Sequence, residues 1–361
     1  MGVKERIQEI EDQLKSTKYN KKTQHAIGLR KAQLASLKKK EEGQKKAGGG
    51  HGYVIRKTGD ATVVMVGFPS VGKSTLLNAI TNQNSVVGGY DFTTLEAIPG
   101  LLEYKGAKIQ IFDVPGLVEG AAAGTGRGKE VLSVVKNADL CLLVVDVNRP
   151  SDLEIIKQEL YDSDIRINVR KPYVKFKRTI KGGITLSKTV PLKIDDKLVK
   201  AMLNEMGITN ADVLIRSKVD EDQLIDAVIG NRKYLNAVTI LNKCDSVSLK
   251  DALKIKKEIN ADVLISAERK ENLRELKELI FDKLDFIRIY LKEPMKEVDM
   301  KEPLIIPKEY SIKDVCRKLH REMIEKFKFA RVWGKSAKHP GQKLTLKHHL
   351  KDEDILEIHL I

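Results

Sequence analysis

The sequence predicts an α/β protein built on a mostly parallel sheet with helices on both faces, and three observations carry that prediction. Buried-strand runs alternate with helical patterns from Ala61 onward, the pattern of a parallel sheet covered on both sides. One interval in that alternation, residues 165–231, is far too long for a simple crossover. Residues 287–361 then carry strand and helix signals in an order that no longer alternates, the mark of a separate small α+β domain.

Taken in order, residues 1–50 read as a helical hairpin. Ile7, Ile10 and Leu14 repeat at helical spacing, as do Ile27, Leu34 and Leu37, and the polar run 16–22 is the turn between them. So few apolar residues predict few core contacts. Lys38-Lys39-Lys40 and Lys45-Lys46 make the hairpin basic, which suits a solvated face and a nucleic-acid contact equally. Gly48-Gly49-Gly50 reads as a linker. Residues 51–164 and 232–286 form the central domain, with buried strands at 61–66, 109–112, 140–145 and 238–241. Residues 165–231 form an inserted α/β subdomain, with strands at 173–179 and 184–192 and helices at 197–206 and 220–228. In the last domain a strand is expected at 287–291. An amphipathic helix follows at 311–327, capped by Ser311, and then strands at 329–333, 343–346 and 355–361.

Composition narrows the function. The 361 residues carry a formal net charge of +15, which attracts polyanions, nucleic acid foremost. Cys141, Cys244 and Cys316 are dispersed without CxxC or Cys/His spacing. That excludes a disulfide framework and a zinc site and points to a reducing, cytoplasmic setting. No apolar signal core stands at the N-terminus. The longest apolar run, 138–147, is interrupted by Asp139 and Asp146, too short to cross a bilayer, so no membrane association is expected.

The chemistry lies in loops that follow strands. Gly67-Phe68-Pro69-Ser70-Val71-Gly72-Lys73-Ser74, with Thr75 next, matches the phosphate-binding loop and sits between a strand and a helix. Its glycines let backbone N–H groups curl around phosphate oxygens, and the helix beginning near Lys73 adds its positive end. Lys73 is expected on the β- and γ-phosphates and Ser74 on magnesium. Asp113-Val114-Pro115-Gly116 ends another strand; Asp113 is expected to hold magnesium through water and the Gly116 amide to bond the γ-phosphate. Asn242-Lys243-Cys244-Asp245 follows a third strand. A carboxylate there accepts two hydrogen bonds from guanine N1–H and its 2-amino group, a donor pair adenine lacks, so Asp245 selects GTP over ATP. Ser266-Ala267-Glu268, after 263–265, fits the last box, where a backbone amide meets the guanine oxygen. Asp91-Phe92-Thr93-Thr94 supplies the candidate switch threonine, a magnesium ligand present only with the γ-phosphate. The residues themselves leave the choice between Thr93 and Thr94 open.

These boxes together resemble the developmentally regulated GTP-binding proteins, the DRG branch of the Obg family. Tyr90-Asp91-Phe92-Thr93-Thr94-Leu95, Asp113-Val114-Pro115-Gly116-Leu117, the glycine-rich run 120–128 and Ala330-Arg331-Val332-Trp333-Gly334-Lys335 carry the resemblance beside the phosphate and base boxes. It spans essentially the whole chain. It implies a P-loop GTPase fold and a C-terminal TGS domain of ubiquitin-like β-grasp form. It selects Thr94 as the magnesium threonine and places Lys73, Thr94 and Gly116 around the reacting phosphate. It also implies ribosome or RNA binding and a regulatory partner protein of the DRG type.

Ras-like enzymes place a glutamine after the acidic box to orient water. Leu117 stands there instead. The expectation is slow intrinsic GTP hydrolysis, raised by a partner, by RNA or by a monovalent cation. Related GTPases hold potassium with a P-loop asparagine; Ser70 occupies that place here. The competing reading is a GTP/GDP-sensing, RNA- or ribosome-binding module with negligible hydrolysis. Arg170 to Lys181 interleaves Lys and Arg with Tyr173 and Phe176, a pattern that meets phosphates with cations and bases with rings. Alternation puts Tyr173, Lys175 and Lys177 on one face. The C-terminal domain adds Lys335, Lys338, His339, Lys343, Lys347, His348 and His349.

Overall fold

A computed structural model describes residues 2–45, 59–81, 98–114 and 133–361. The expected glycine linker 48–50, the threonine pair 93–94, Gly116, Leu117 and the glycine-rich run 120–128 lie outside the described residues. The chain divides into two compact units, Met1–Gly52 with Asp164–Tyr234, and Tyr53–Ser163 with Leu235–Ile361.

In the second unit the strands run in the order Val263–Leu264, Lys233–Asn242, Leu140–Asp146, Ala61–Val66, Ala107–Asp113, Ile98–Tyr104. Every neighbouring pair is parallel except the last. Ala61–Val66 and Leu140–Asp146 are buried at every position, which is why they read as largely apolar runs rather than alternating ones. Helices Lys73–Ile80 and Leu273–Lys283 contribute Leu76, Leu77, Ile80, Leu276 and Ile280 to the same core. The edge strand Ile98–Tyr104 escapes sequence reading because Pro99 and Gly100 both weaken a strand pattern.

The same unit ends in a mixed five-stranded sheet, ordered Leu304–Pro307, Phe286–Leu291, Asp354–Leu360, Phe327–Trp333, Gln342–Leu344. Only the pair Phe286–Leu291 with Asp354–Leu360 is parallel. Ile312, Val315 and Cys316 pack from one helix onto Ile287, Ile289, Val332 and Leu356. That helix corrects the expected span 311–327: it runs only Ile312–Leu319, and a second turn, Glu322–Glu325, follows. His320 is extended (φ −162°, ψ 135°), which ends the helix in time for Phe327 to enter a strand. No Pro or Gly marks the break, so local propensity gives no warning of it. Ser311 does stand at the N-cap, with the Asp314 carboxylate accepting from its N–H (3.1 Å) and its hydroxyl (2.7 Å).

In the first unit, Ala211–Ile215 lies between Val174–Arg178 and Ile184–Lys188. The last of these is shorter than the expected 184–192; Pro191, without an N–H, sits in the segment that leaves the sheet. Helices Asp196–Glu205 and Glu221–Ile229 back this sheet. The hairpin forms as helices Val3–Ser16 and Gln24–Lys45, but the expectation of few core contacts fails. Ile27 and Ala32 are buried, and Leu29 and Ala35 pack with Leu198, Val199, Met202 and Leu224. Lys31 pairs with Asp222 at 2.7 Å. One buried polar cluster stands out in this unit. Asp226 accepts from Arg166 Nε (2.7 Å) and Nη2 (2.9 Å) and from Arg232 Nε (2.9 Å), and Arg232 also pairs with Asp164.

Candidate nucleotide site

The loops singled out in the sequence meet at the carboxyl ends of the parallel strands, where α/β sheets bind their ligands. Residues 67–72 form a turn between strand Ala61–Val66 and helix Lys73–Ile80. Gly67 and Gly72 are required by space. A Cβ on Gly67 would stand 2.3 Å from the Val144 carbonyl oxygen, and one on Gly72 (φ +90°) would stand 2.5 Å from Asn242 Nδ2. Lys73 Nζ donates to the carbonyls of Gly67 (3.0 Å) and Phe68 (3.1 Å). Burial holds its pKa below the usual lysine value, against the opposing pull of Asp113. Pro69, Ser70 and Thr75 are exposed and Val71 is buried.

Ser74 Oγ donates to Asp113 Oδ2 at 2.6 Å. Asp113 is only 5% exposed, and its Oδ1 is buried without a hydrogen-bond partner among the described residues. An anionic oxygen left so is costly. A hydroxyl and a carboxylate side by side, one oxygen unsatisfied, are hard donors of the kind magnesium takes. These residues fit the ion.

Asn242 joins two boxes with one side chain. Its Nδ2 donates to the Val71 carbonyl (2.8 Å), and its Oδ1 accepts from the Ala267 N–H (3.0 Å). Lys243 sits in the left-handed region (φ 63°). Its Nζ donates to the Ser70 carbonyl (2.7 Å) and pairs with Asp146 (2.8 Å). The Ser266 hydroxyl beside Asp245 holds that carboxyl below its ordinary pKa, so it is ionised and an acceptor. Arg269 Nε lies 3.8 Å away. Ser266, fully buried, also accepts from the Arg269 N–H at 3.1 Å.

Sequence reading missed the contribution of Asp146 and Asn148, treating Asp146 only as a break in an apolar run. Burial pushes the Asp146 pKa up, but bonds from Lys243 and from Asn148 outweigh it and hold the carboxyl below its usual value. The signal was present: Asp146 ends a parallel strand, as Asp113 and Asn242 do, and pairs in register with Asn242.

Tyr173 is 40% exposed, with Lys175 Nζ 5.3 Å and Arg216 Cζ 5.5 Å from its ring centre. Val174 and Phe176 turn the other way, into the core of that unit. In the C-terminal domain Lys335, Lys338, His339, Lys343, Lys347 and His349 are exposed. Lys343 lies over Phe329, which stacks on His359 at 4.3 Å. The adjacent histidines separate, though not as strand neighbours: His348 bonds Ser336 Oγ and His349 bonds the Glu309 carbonyl. No group of three or more His, Cys, Asp or Glu suited to a metal occurs among the described residues, and none of their helices is long and apolar enough to cross a membrane.

A phosphate loop at a helix N-terminus, an acidic strand end and a base-side box on one parallel sheet define a P-loop nucleotide-binding protein. Comparison with known proteins makes this specific. Residues 62–175 match the family described as a 50S ribosome-binding GTPase, residues 181–286 the C-terminal region of that domain, and residues 287–360 the TGS domain. An uncharacterized GTP-binding protein of Methanocaldococcus jannaschii is 50% identical, over 99% of this chain and 93% of its own. Developmentally-regulated GTP-binding protein 1 of Xenopus laevis is 43% identical and protein 2 of Homo sapiens 39%, each over 99% of both chains. The YchF GTPase of Schizosaccharomyces pombe shares the fold, with a TM-score of 0.52 at 16% identity, covering 86% of this chain and 100% of that one. The chain belongs to the developmentally regulated GTP-binding protein family, P-loop GTPases with a C-terminal TGS domain.

Proposed function

We propose that this protein binds GTP with magnesium, hydrolyses it to GDP and phosphate, and acts as a switch on ribosomes or RNA. The observation that carries the nucleotide reading is the Asn242 side chain, which fixes the phosphate loop and the base-side box to each other through Val71 and Ala267. That spacing serves one ligand with a phosphate at one end and a base at the other. In this reading Asp245 accepts from guanine N1–H and its 2-amino group. Lys73 exchanges the Gly67 and Phe68 carbonyls for β- and γ-phosphate oxygens. Ser74 and Thr94 would ligate magnesium, Asp113 would hold it through water, and the Gly116 amide would bond the γ-phosphate. The bound ion would neutralise charge building on the phosphate oxygens. With Leu117 after the acidic box, turnover is slow until a partner, RNA or a monovalent cation such as potassium completes the site. A regulatory protein of the DRG type is the expected protein partner.

Replacing Ser74 with alanine is expected to lower GTP turnover about a hundredfold, because several kcal/mol of charge stabilisation leaves with the metal. Release of bound GDP should then no longer respond to EDTA. Multiple-turnover phosphate release in magnesium and in EDTA tests both points, and a variant as active and as EDTA-sensitive as the parent would sink the assignment. A parent protein that binds GTP without releasing phosphate, with and without ribosomes, would favour the sensing module instead.

The ribosome and RNA reading is supported by the +15 net charge, the cation-flanked Tyr173 and the lysines of the TGS domain. Binding should weaken steeply with salt, since phosphate contacts release counterions. Co-sedimentation with ribosomes across a salt series, in GDP and in a non-hydrolysable GTP analogue, reads this out. No binding in either state at low salt would refute it.

A further inference from the structure

We propose that Asp146, aided by Asn148, is a positioning residue that sets how long the guanine nucleotide stays bound. This rests on reading the surrounding loops as a guanine-nucleotide site. Asp146 ends the buried strand Leu140–Asp146 and is 5% exposed, a position where a carboxylate persists only if paired. It is paired at both oxygens. Oδ2 meets Lys243 Nζ at 2.8 Å. Oδ1 accepts from the Asn148 backbone N–H (2.9 Å) and from its side-chain amide (3.0 Å).

The bonds leaving this short loop reach the base-side box on both flanks of Asp245. The Val147 N–H donates to the Asn242 carbonyl at 3.0 Å. The Asn148 amide donates to Ser246 Oγ (3.0 Å), which donates to the Lys243 carbonyl (2.8 Å). The base-reading carboxylate therefore sits between two residues, Lys243 and Ser246, that the loop holds. Lys243 carries the effect across the site: the ammonium on Asp146 also donates to the Ser70 carbonyl at 2.7 Å. Lys243 (φ 63°) and Ser70 (φ 62°) are both non-glycine residues in the left-handed region, a conformation that lasts only where the surroundings impose it. Asp146 is the charged anchor of the ammonium that joins these two residues. With the anchor gone, the half-exposed Lys243 side chain swings to solvent, and of the two ties between the base box and the phosphate loop only the Asn242 bridge remains.

Asp146→Asn keeps the size and the acceptor facing Asn148 but removes the charge that holds Lys243. Stopped-flow release of N-methylanthraniloyl-GDP from the full chain is expected to be about 10- to 100-fold faster, the range for losing a charged hydrogen bond. If Asp146 works through Lys243, the pair Asp146→Asn/Lys243→Met releases GDP no faster than Lys243→Met alone. Asn148→Ala should also speed release, and it decides the matter if Asp146→Asn does not fold. Parent-like release from the folded variants would overturn the proposal, as would additive effects in the pair accompanied by a lowered melting temperature without nucleotide. A parent protein that does not retain the labelled GDP would overturn the nucleotide reading itself.

Discussion

Asp245→Asn is expected to weaken GTP binding by about three orders of magnitude, two charged hydrogen bonds being worth roughly 1.5–3 kcal/mol each. The loss goes beyond missing attraction. One face of the new side chain is an NH2 group, and guanine presents donors at both N1 and the 2-amino group, so a donor meets a donor. Xanthine differs in carrying a carbonyl at position 2. The asparagine oxygen then accepts from N1–H while its amide donates to that carbonyl, and both bonds return. The variant should therefore prefer xanthosine to guanosine nucleotides. Competition of GTP, XTP and ATP against a fluorescent nucleotide measures the switch, with the melting temperature confirming that the fold is intact. The substitution is structurally mild because the Asp245 side chain is partly exposed and lies in a short turn after strand Lys233–Asn242. Undiminished GTP affinity would show that Asp245 does not touch the base.

The largest stability effect is expected in the other unit. Asp226 is 4% exposed at its side chain, Arg166 8%, and Arg232 pairs with the same carboxylate. Asp226→Ala withdraws the shared acceptor from two guanidinium groups in a poorly hydrated site. Breaking a buried pair in this way costs about 3–5 kcal/mol. Urea unfolding followed by circular dichroism should show the midpoint shift at an unchanged slope. The companion variant, Arg166→Met with Asp226→Leu, should recover a substantial part of the loss, because removing both charges together removes the desolvation cost as well. An Asp226→Ala protein as stable as the parent would mean that the cluster contributes orientation and little energy.

How much of this was legible in the sequence depended on how local each feature is. The phosphate loop, Asp113, Asn242 and Asp245 were readable because each motif is contiguous and follows a strand rich in apolar residues. What was missed is non-local or locally ambiguous. Strand Ile98–Tyr104 hides behind Pro99 and Gly100, and Leu304–Pro307 behind its own proline; both stand at sheet edges, where proline is tolerated. The break at His320 answers the needs of the next strand, not the residues around it. The Asn242 bridge was invisible because it joins residues 171 positions apart; the pattern identified the boxes and said nothing of how they are tied. Asp146 was seen and misfiled, because an acidic residue ending an apolar run looks the same whether it meets solvent or a lysine from another loop.

The hairpin helix Gln24–Lys45 and the insertion that completes its core are far apart in the chain; Lys31 and its partner Asp222 are separated by 191 residues. During synthesis the helix emerges long before the surface it packs on. At about 10 residues per second the wait is roughly twenty seconds, while helix formation itself takes about a microsecond or less. The nascent hairpin must therefore survive as an orphan. Its sequence suits that interval: small or aliphatic residues such as Ile27, Leu29, Ala32 and Ala35 are interleaved with polar and charged ones, and no aromatic residue is among them. A more apolar stripe would strengthen the finished core and make the unfinished chain stick to its neighbours. The modest apolar content that made these helices look detached in the sequence is what an element has when it is made early and docked late.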